Sequence, residues 1–164
     1  MTRLQLLFVA AVAATAVAVV AATSQAGSPE GRTIQLVERG GSFTFVDSAP
    51  ARNKRTNLVS AGDFFAGSAE LYDASGQQAG SLHVLCVATV GGKEIHAKFQ
   101  CDGTVALADG TLSISALNER RADQDVDHIS IVGGTGAYEG ARGSMTSNAR
   151  PSGNATDDVI HLLP

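Results

Sequence analysis

The chain has 164 residues, 44% of them hydrophobic but only 5% aromatic, with 18 glycines, no tryptophan and a formal net charge of −4. An acidic balance of this kind excludes a nucleic-acid surface, which needs a basic footprint to meet phosphates. The one basic run, Arg52-Asn53-Lys54-Arg55, reads as a solvated loop.

The first element is apolar. Leu6 to Ala22 contains no charge and one polar residue, Thr15; Arg3 precedes the run and Ser24-Gln25-Ala26 follows it. A basic start, an apolar middle and a small-x-small exit describe a secretory signal peptide, with cleavage expected after Ala26. The run exceeds the ~7–15 residues of a signal core but falls short of the ~20 of a membrane span, and its Ala and Val favour export over anchoring. The expected organisation is a signal peptide over 1–26, a flexible leader over 27–32 and one domain over 33–164. That makes a secreted protein with no membrane contact after cleavage. The remaining 138 residues suffice for one hydrophobic core and are too few for two.

Strands are predicted at Thr33–Val37 and Ser42–Val46, short stretches rich in Ile, Val, Phe and Thr that flank Gly40-Gly41. A long loop over 47–60 follows, carrying Pro50 and the basic run. Asp63–Tyr72 is the next strand, ending in the turn residues Asp73-Ala74-Ser75-Gly76. Ala79–Thr89 and Lys98–Leu107 come next. Asp109-Gly110 then signals a hairpin, because the pair accepts φ > 0 at both centres of a type I′ turn, and Thr111–Leu117 pairs back across it. After a charged loop over 118–127 come His128–Val132, a glycine-rich stretch over 133–143, Ser144–Asn148, and a last strand at Asp158–Leu163.

No apolar pattern recurs at helical spacing; alternation dominates, as in Leu82, Val84, Cys86 and Ala88, or Ile160 and Leu162. About eight strands at even spacing predict an all-β sandwich or barrel. Closure would remove exposed edges, and about eight strands leave a bore that is filled or holds one small ligand.

Cys86 and Cys101, in a chain bound for an oxidising compartment, are expected to form one disulfide. A two-residue hairpin centred on Gly91-Gly92 would leave them four residues out of register, roughly 13 Å along the strands and beyond bridging. The disulfide therefore requires a longer loop, roughly residues 89–98.

The most distinctive stretch is Gly133-Gly134-Thr135-Gly136-Ala137-Tyr138-Glu139-Gly140-Ala141-Arg142-Gly143. It is neither a dinucleotide loop, whose third glycine would fall at 139 before a helix, nor a P-loop, which needs Gly-Lys-Ser/Thr. It reads as a strand ending at Val132, a turn through glycines at φ > 0, Tyr138 covering the barrel end, and re-entry at Arg142. This Gly-Gly-Thr-Gly-aromatic-x-x-Ala-Arg-Gly pattern resembles dirigent proteins and the related allene oxide cyclase barrels. Gly62-Asp63-Phe64-Phe65, Leu71-Tyr72-Asp73-Ala74-Ser75-Gly76 and Ala79-Gly80-Ser81-Leu82-His83 agree with secreted relatives in order and spacing. With Cys86, Cys101 and Leu107–Gly110, the resemblance covers roughly residues 46–148.

The resemblance implies an antiparallel eight-stranded barrel, commonly a homotrimer, with an apolar pocket open at one end for a small hydrophobic molecule. Asp63, Gly80, Gly133, Gly134, Gly136, Tyr138 and Gly143 would be its structural motif. Allene oxide cyclases close a fatty-acid epoxide into a cyclopentenone, and dirigent proteins steer coupling of phenoxy radicals. Both control a reactive intermediate by shape, so few catalytic residues are needed and no cofactor is called for. Two classes stay open: an isomerase of the intramolecular cyclase kind, and a non-catalytic dirigent-like or ligand-binding barrel.

Glu70 is the candidate acid or base if its strand face, shared with Phe64, Ser68 and Tyr72, is the bore. Tyr72, His83 and Arg142 are candidate pocket residues, with Arg142 better suited to bonding turn carbonyls than to holding a substrate. The histidines at 83, 96, 128 and 161 show no metal-ligand spacing. Asp123–Asp127 opens like a calcium loop but has His128 where Gly is required, so no metal is expected. No G-x-S-x-G elbow exists. Asn154-Ala155-Thr156 is a glycosylation sequon relevant only in a eukaryotic secretory route.

Overall fold

The computed structural model describes residues 31–48, 58–93, 96–119, 126–151 and 153–164. The signal peptide and most of the leader, the basic run and most of the 118–127 loop lie outside them. Among the described residues there are ten strands: β1 (Arg32–Val46), β2 (Leu58–Val59), β3 (Phe64–Tyr72), β4 (Gln78–Val90), β5 (Gly92–Lys93), β6 (Lys98–Leu107), β7 (Gly110–Glu119), β8 (Val126–Gly136), β9 (Gly143–Ala149) and β10 (Thr156–Leu162). Eight of them close an antiparallel barrel in the order β1-β10-β9-β8-β7-β6-β4-β3, while β2 and β5 pair separately. Among the described residues no helix is long and apolar enough to cross a membrane.

Two expected strands are one. β1 runs through Gly40-Gly41 without turning, and its pairing with β3 shifts register between Arg39 and Ser42. Gly40 sits at φ 65°, so the glycine permits a bulge rather than a hairpin. Merging the two segments brings the expected strands to the eight that close the barrel.

The Asp109-Gly110 hairpin joins β6 to β7, but Leu107 pairs with Gly110, so Ala108 and Asp109 are the turn centre. Gly110 instead admits a neighbour. A Cβ there would lie 2.2 Å from the Thr135 carbonyl oxygen, because β8 crosses Gly110 at Gly136. The glycine-rich stretch also departs from expectation. β8 continues through Gly136, only residues 137–140 turn, and β9 begins at Gly143. Tyr138 is buried and packs with Leu36, Leu71, Val105, Leu112 and Ile160 in the main core. Its phenol is pushed up by burial and by hydrogen bonding to Asp109.

Backbone packs directly on this motif. A Cβ on Gly134 would meet the Tyr138 carbonyl oxygen at 2.4 Å, whereas nothing lies within 4 Å of one on Gly133. Gly134→Ala should therefore cost about 3 kcal/mol, and Gly133→Ala less than about 1 kcal/mol. Urea unfolding of the two variants checks the contrast.

The opposite end holds a second core of Val59, Cys86, Ala88, Ala97 and Phe99, with Phe65 and Cys101 against it. Cys86 and Cys101 are directly paired across β4 and β6, with Cα atoms 4.0 Å apart, and form the expected disulfide. The connection over 91–97 is longer than a tight hairpin, as the bridge requires. Asp63 is fully buried, and its carboxylate accepts the backbone N–H groups of Ser48 and Ser60, each at 2.8 Å. It thereby ties down both ends of the connection between β1 and β3.

Candidate functional site

Closure decides which side chains face the bore. Along β3 the inner face is Phe65, Gly67, Ala69 and Leu71, since Ala69 and Leu71 are buried and pair with Leu82 and Gly80. Glu70, Ser68 and Tyr72 therefore point outward, and Glu70 is exposed. The Tyr72 hydroxyl donates to Glu70, and the Arg39 guanidinium lies 5.1 Å from the Tyr72 ring centroid. That bond to Glu70 is the main reason the Tyr72 phenol is pushed up. The condition attached to Glu70, that its face be the bore, is not met.

His83 is also on the outer face, exposed beside Leu85 and Val87, with its Nε2 3.0 Å from the Ser81 hydroxyl. Arg142 is exposed and donates to the carbonyl oxygens of Ala141 at 2.7 Å and Gly140 at 3.4 Å. It bonds turn carbonyls. None of the four side chains singled out from the sequence enters the bore.

The acidic groups inside come from elsewhere. Asp158 on β10 alternates with Ile160, pairs with Leu36 on β1 and with Ser147 on β9, and is 1% exposed. The Ser147 hydroxyl donates to its Oδ1. Its Oδ2 is buried with no hydrogen-bond partner. Glu38, two residues along β1 from Leu36, pairs with Leu71 and Thr156 and so faces the same interior. Burial pushes the Glu38 carboxyl up. Burial also pushes Asp158 up to about 7, helped by the nearby charges of Glu38 and Asp157 and opposed by the Ser147 bond. A desolvated carboxyl beside a like charge favours its neutral form.

Farther round the wall, Asp127 on β8 pairs with Ser147 and accepts a hydrogen bond from Asn118 Nδ2 at 3.1 Å. Three rings cluster on β1, β3 and β6. Phe43 and Phe65 lie edge to face at 6.2 Å, and Phe65 and Phe99 tilt together at 5.5 Å. Phe43 packs over its partner Gly67, which pairs in turn with Val84 on the inner face, yet it is 58% exposed. Phe43 is thus an exposed ring at the rim of the second core. The interior is filled toward Tyr138 by the main core and at the other end by the second core, while Asp158 and Glu38 line the wall made by β1 and β10.

Among the described residues no three His, Cys, Asp or Glu side chains converge as a metal site. The signal for Asp158 was present in the sequence: the Ile160, Leu162 alternation extended back two residues reaches it, as Ile34 and Leu36 extended forward reach Glu38.

No protein-family model matches the chain, nor does any curated protein. Solved structures do. A pyocyanin demethylase superposes with a TM-score of 0.62 at 20% identity, over 80% of this chain and 99% of that one. The pterocarpan synthase dirigent protein PsPTS1 gives 0.58 at 17%, over 83% and 95%. The Diels-Alderase AbmU from Streptomyces koyangensis gives 0.60 at 14%, over 80% and 63%. At these identities the likeness is one of fold, and that fold is the closed eight-stranded antiparallel barrel of dirigent and cyclase type.

Proposed function

We propose that this is an exported barrel enzyme that folds a small hydrophobic, reactive substrate against its aromatic cluster and promotes an intramolecular isomerisation or ring closure, in the manner of an allene oxide cyclase. Asp158 is the proton donor. Its unpartnered Oδ2, buried on the inner wall of the barrel, is the observation that carries the reading. A carboxyl held neutral near pH 7 can protonate or polarise an epoxide or carbonyl oxygen; burial and the Glu38 charge favour that state, and the Ser147 hydroxyl orients the group. The shape of the bore then selects one conformer of the intermediate. The disulfide supports export, since such bonds persist in oxidising compartments. A homotrimer is expected by the same likeness.

The test is to identify by mass spectrometry the small molecules that co-purify with the secreted protein, and to follow their turnover. Asp158→Asn should lower the rate about 10²–10⁴-fold, the usual contribution of general acid–base catalysis. Glu70→Gln should leave it unchanged, because Glu70 lies outside the barrel. If Asp158→Asn reacts as fast as wild type while product stereochemistry still depends on Phe43, the barrel is a dirigent-like guide that acts by shape alone. If no molecule is retained and none is turned over, the ligand-based reading fails.

A further inference from the structure

The inner wall made by β1 and β10 carries a pair of carboxyls, and the proposed function uses one of them. Glu38 pairs with Thr156, and Asp158 lies two residues further along β10 on the same face. Diagonal neighbours of this kind sit about 7–8 Å apart. A carbonyl group and the carbon beside it fit between such carboxyls, each contact spanning about 2.6–3.2 Å. The pair differs in exposure. Asp158 is 1% exposed and Glu38 half-buried, so the drier acid keeps its proton and Glu38 ionises first. Once ionised, Glu38 makes the second loss harder, which holds the pair as one carboxylate and one acid. Across β3 Glu38 meets Leu71, and the neighbouring Asp157 points to the other face and pairs with Arg150.

Reach from solvent comes on the Phe43 side. A Cβ on Gly41 would lie 3.1 Å from Phe43 Cε2 and 3.7 Å from Glu38 Oε1, so the ring edge and the carboxylate flank one glycine. Exposure falls from 58% at Phe43, through Glu38, to the buried Asp158. The ring offers a flat apolar face beside the carboxylate.

We infer that Glu38 is a second catalytic residue, the base that works with the acid Asp158, on a hydrophobic ketone bearing an acidic C–H beside its carbonyl. This rests on the proposal that Asp158 donates a proton, and it adds the partner and the substrate class. Glu38 takes the proton from carbon. The C–H electron pair becomes the C=C bond of an enol, and the carbonyl oxygen takes the proton of Asp158. In the return step the Asp158 carboxylate recovers the enol proton and Glu38 delivers its own to carbon. Delivery to the far end of a neighbouring double bond moves that bond into conjugation, which is an isomerisation. Protons and electrons balance without an oxidant or reductant.

The probe is 2-tetralone, whose benzylic C–H lies beside its carbonyl; the first half of the cycle alone exchanges that hydrogen for deuterium. Proton NMR in D2O follows the exchange on the secreted protein, and isothermal titration calorimetry measures binding. With the buffer rate subtracted, wild-type exchange should rise with pH as Glu38 ionises and fall above about pH 7 as Asp158 loses its proton. Glu38→Gln should lower the rate about 10²–10⁴-fold and abolish the rising limb, while binding stays within about twofold. Asp158→Asn should abolish the falling limb instead. A Glu38→Gln variant that exchanges as fast as wild type overturns the base and leaves the Asp158 donor standing. Loss of binding together with exchange in that variant marks Glu38 as structural and overturns its catalytic role. Tetralone that wild type binds but does not exchange overturns the ketone class and the base, and leaves ligand binding standing. Tetralone neither bound nor exchanged overturns this inference and the reading beneath it.

Discussion

The Asp158→Asn variant should be more stable than wild type above pH 7, by about 2–4 kcal/mol, and the gap should close as pH falls toward 4. The direction follows from linkage. Asp158 titrates at about 7 in the folded chain against 3.8 in the ordinary case, so between those values the folded state holds a proton that the unfolded state has released. Stability carried by the neutral carboxyl is present below pH 4 and is lost progressively up to pH 7. About three pKa units at about 1.4 kcal/mol each set the ceiling near 4 kcal/mol.

Against a total stability of about 5–15 kcal/mol this is a large fraction to spend on one side chain, which is what a functional carboxyl would show. Glu38 is displaced in the same direction by burial, while Asp157, paired with Arg150 at 2.5 Å, is displaced in the other. The wild-type-minus-variant difference therefore isolates Asp158 better than either curve alone. Urea unfolding at half-unit steps from pH 4 to 8 measures it. Parallel curves would mean that Asp158 is ionised in the folded barrel, and the proton-donor role would go with them.

Removing the bridge with Cys86→Ala and Cys101→Ala together should cost about 3 kcal/mol, since the closed loop spans a sequence separation of 15. At a urea dependence of about 2 kcal/mol per molar, the midpoint falls by about 1.5 M. The local effect is larger in the second core than in the main one. Cys86 and Cys101 sit beneath Phe65 and beside Phe99, so truncating both sulfurs leaves those rings without part of their floor. Hydrogen exchange should accordingly accelerate in β4 and β6 near the bridge before it does so around Leu112 and Ile160. A thiol reductant acting on wild type should reproduce the shift. An unchanged midpoint in both experiments would show that strand pairing alone holds this end of the barrel.

Local chemistry made most of the barrel readable from residue order. Alternation in β4 and β7, turn residues after Tyr72, and the spacing that forbids a tight hairpin between Cys86 and Cys101 all act within a few residues. Where reading failed, a longer-range contact had decided. Gly40-Gly41 looks like a turn, but β3 supplies partners on both sides of it, and continuous pairing with a bulge satisfies more backbone groups than a break would. Gly110 looks like a turn centre, but its function is to admit the Thr135 carbonyl.

The amino-acid order by itself determined two faces for every strand and the kind of fold that buries one of them. It could not label those faces on β3, where Phe64 and Phe65 are neighbours on opposite sides and either set could be internal. Only closure of the ring, with β1 between β3 and β10, put Leu71 inside and Glu70 in solvent. The same closure brought Glu38 and Asp158, from opposite ends of the chain, to adjacent strands of one dry wall. Burial and like-charge proximity are properties of that enclosure, so the displaced carboxyl exists only once the barrel has formed.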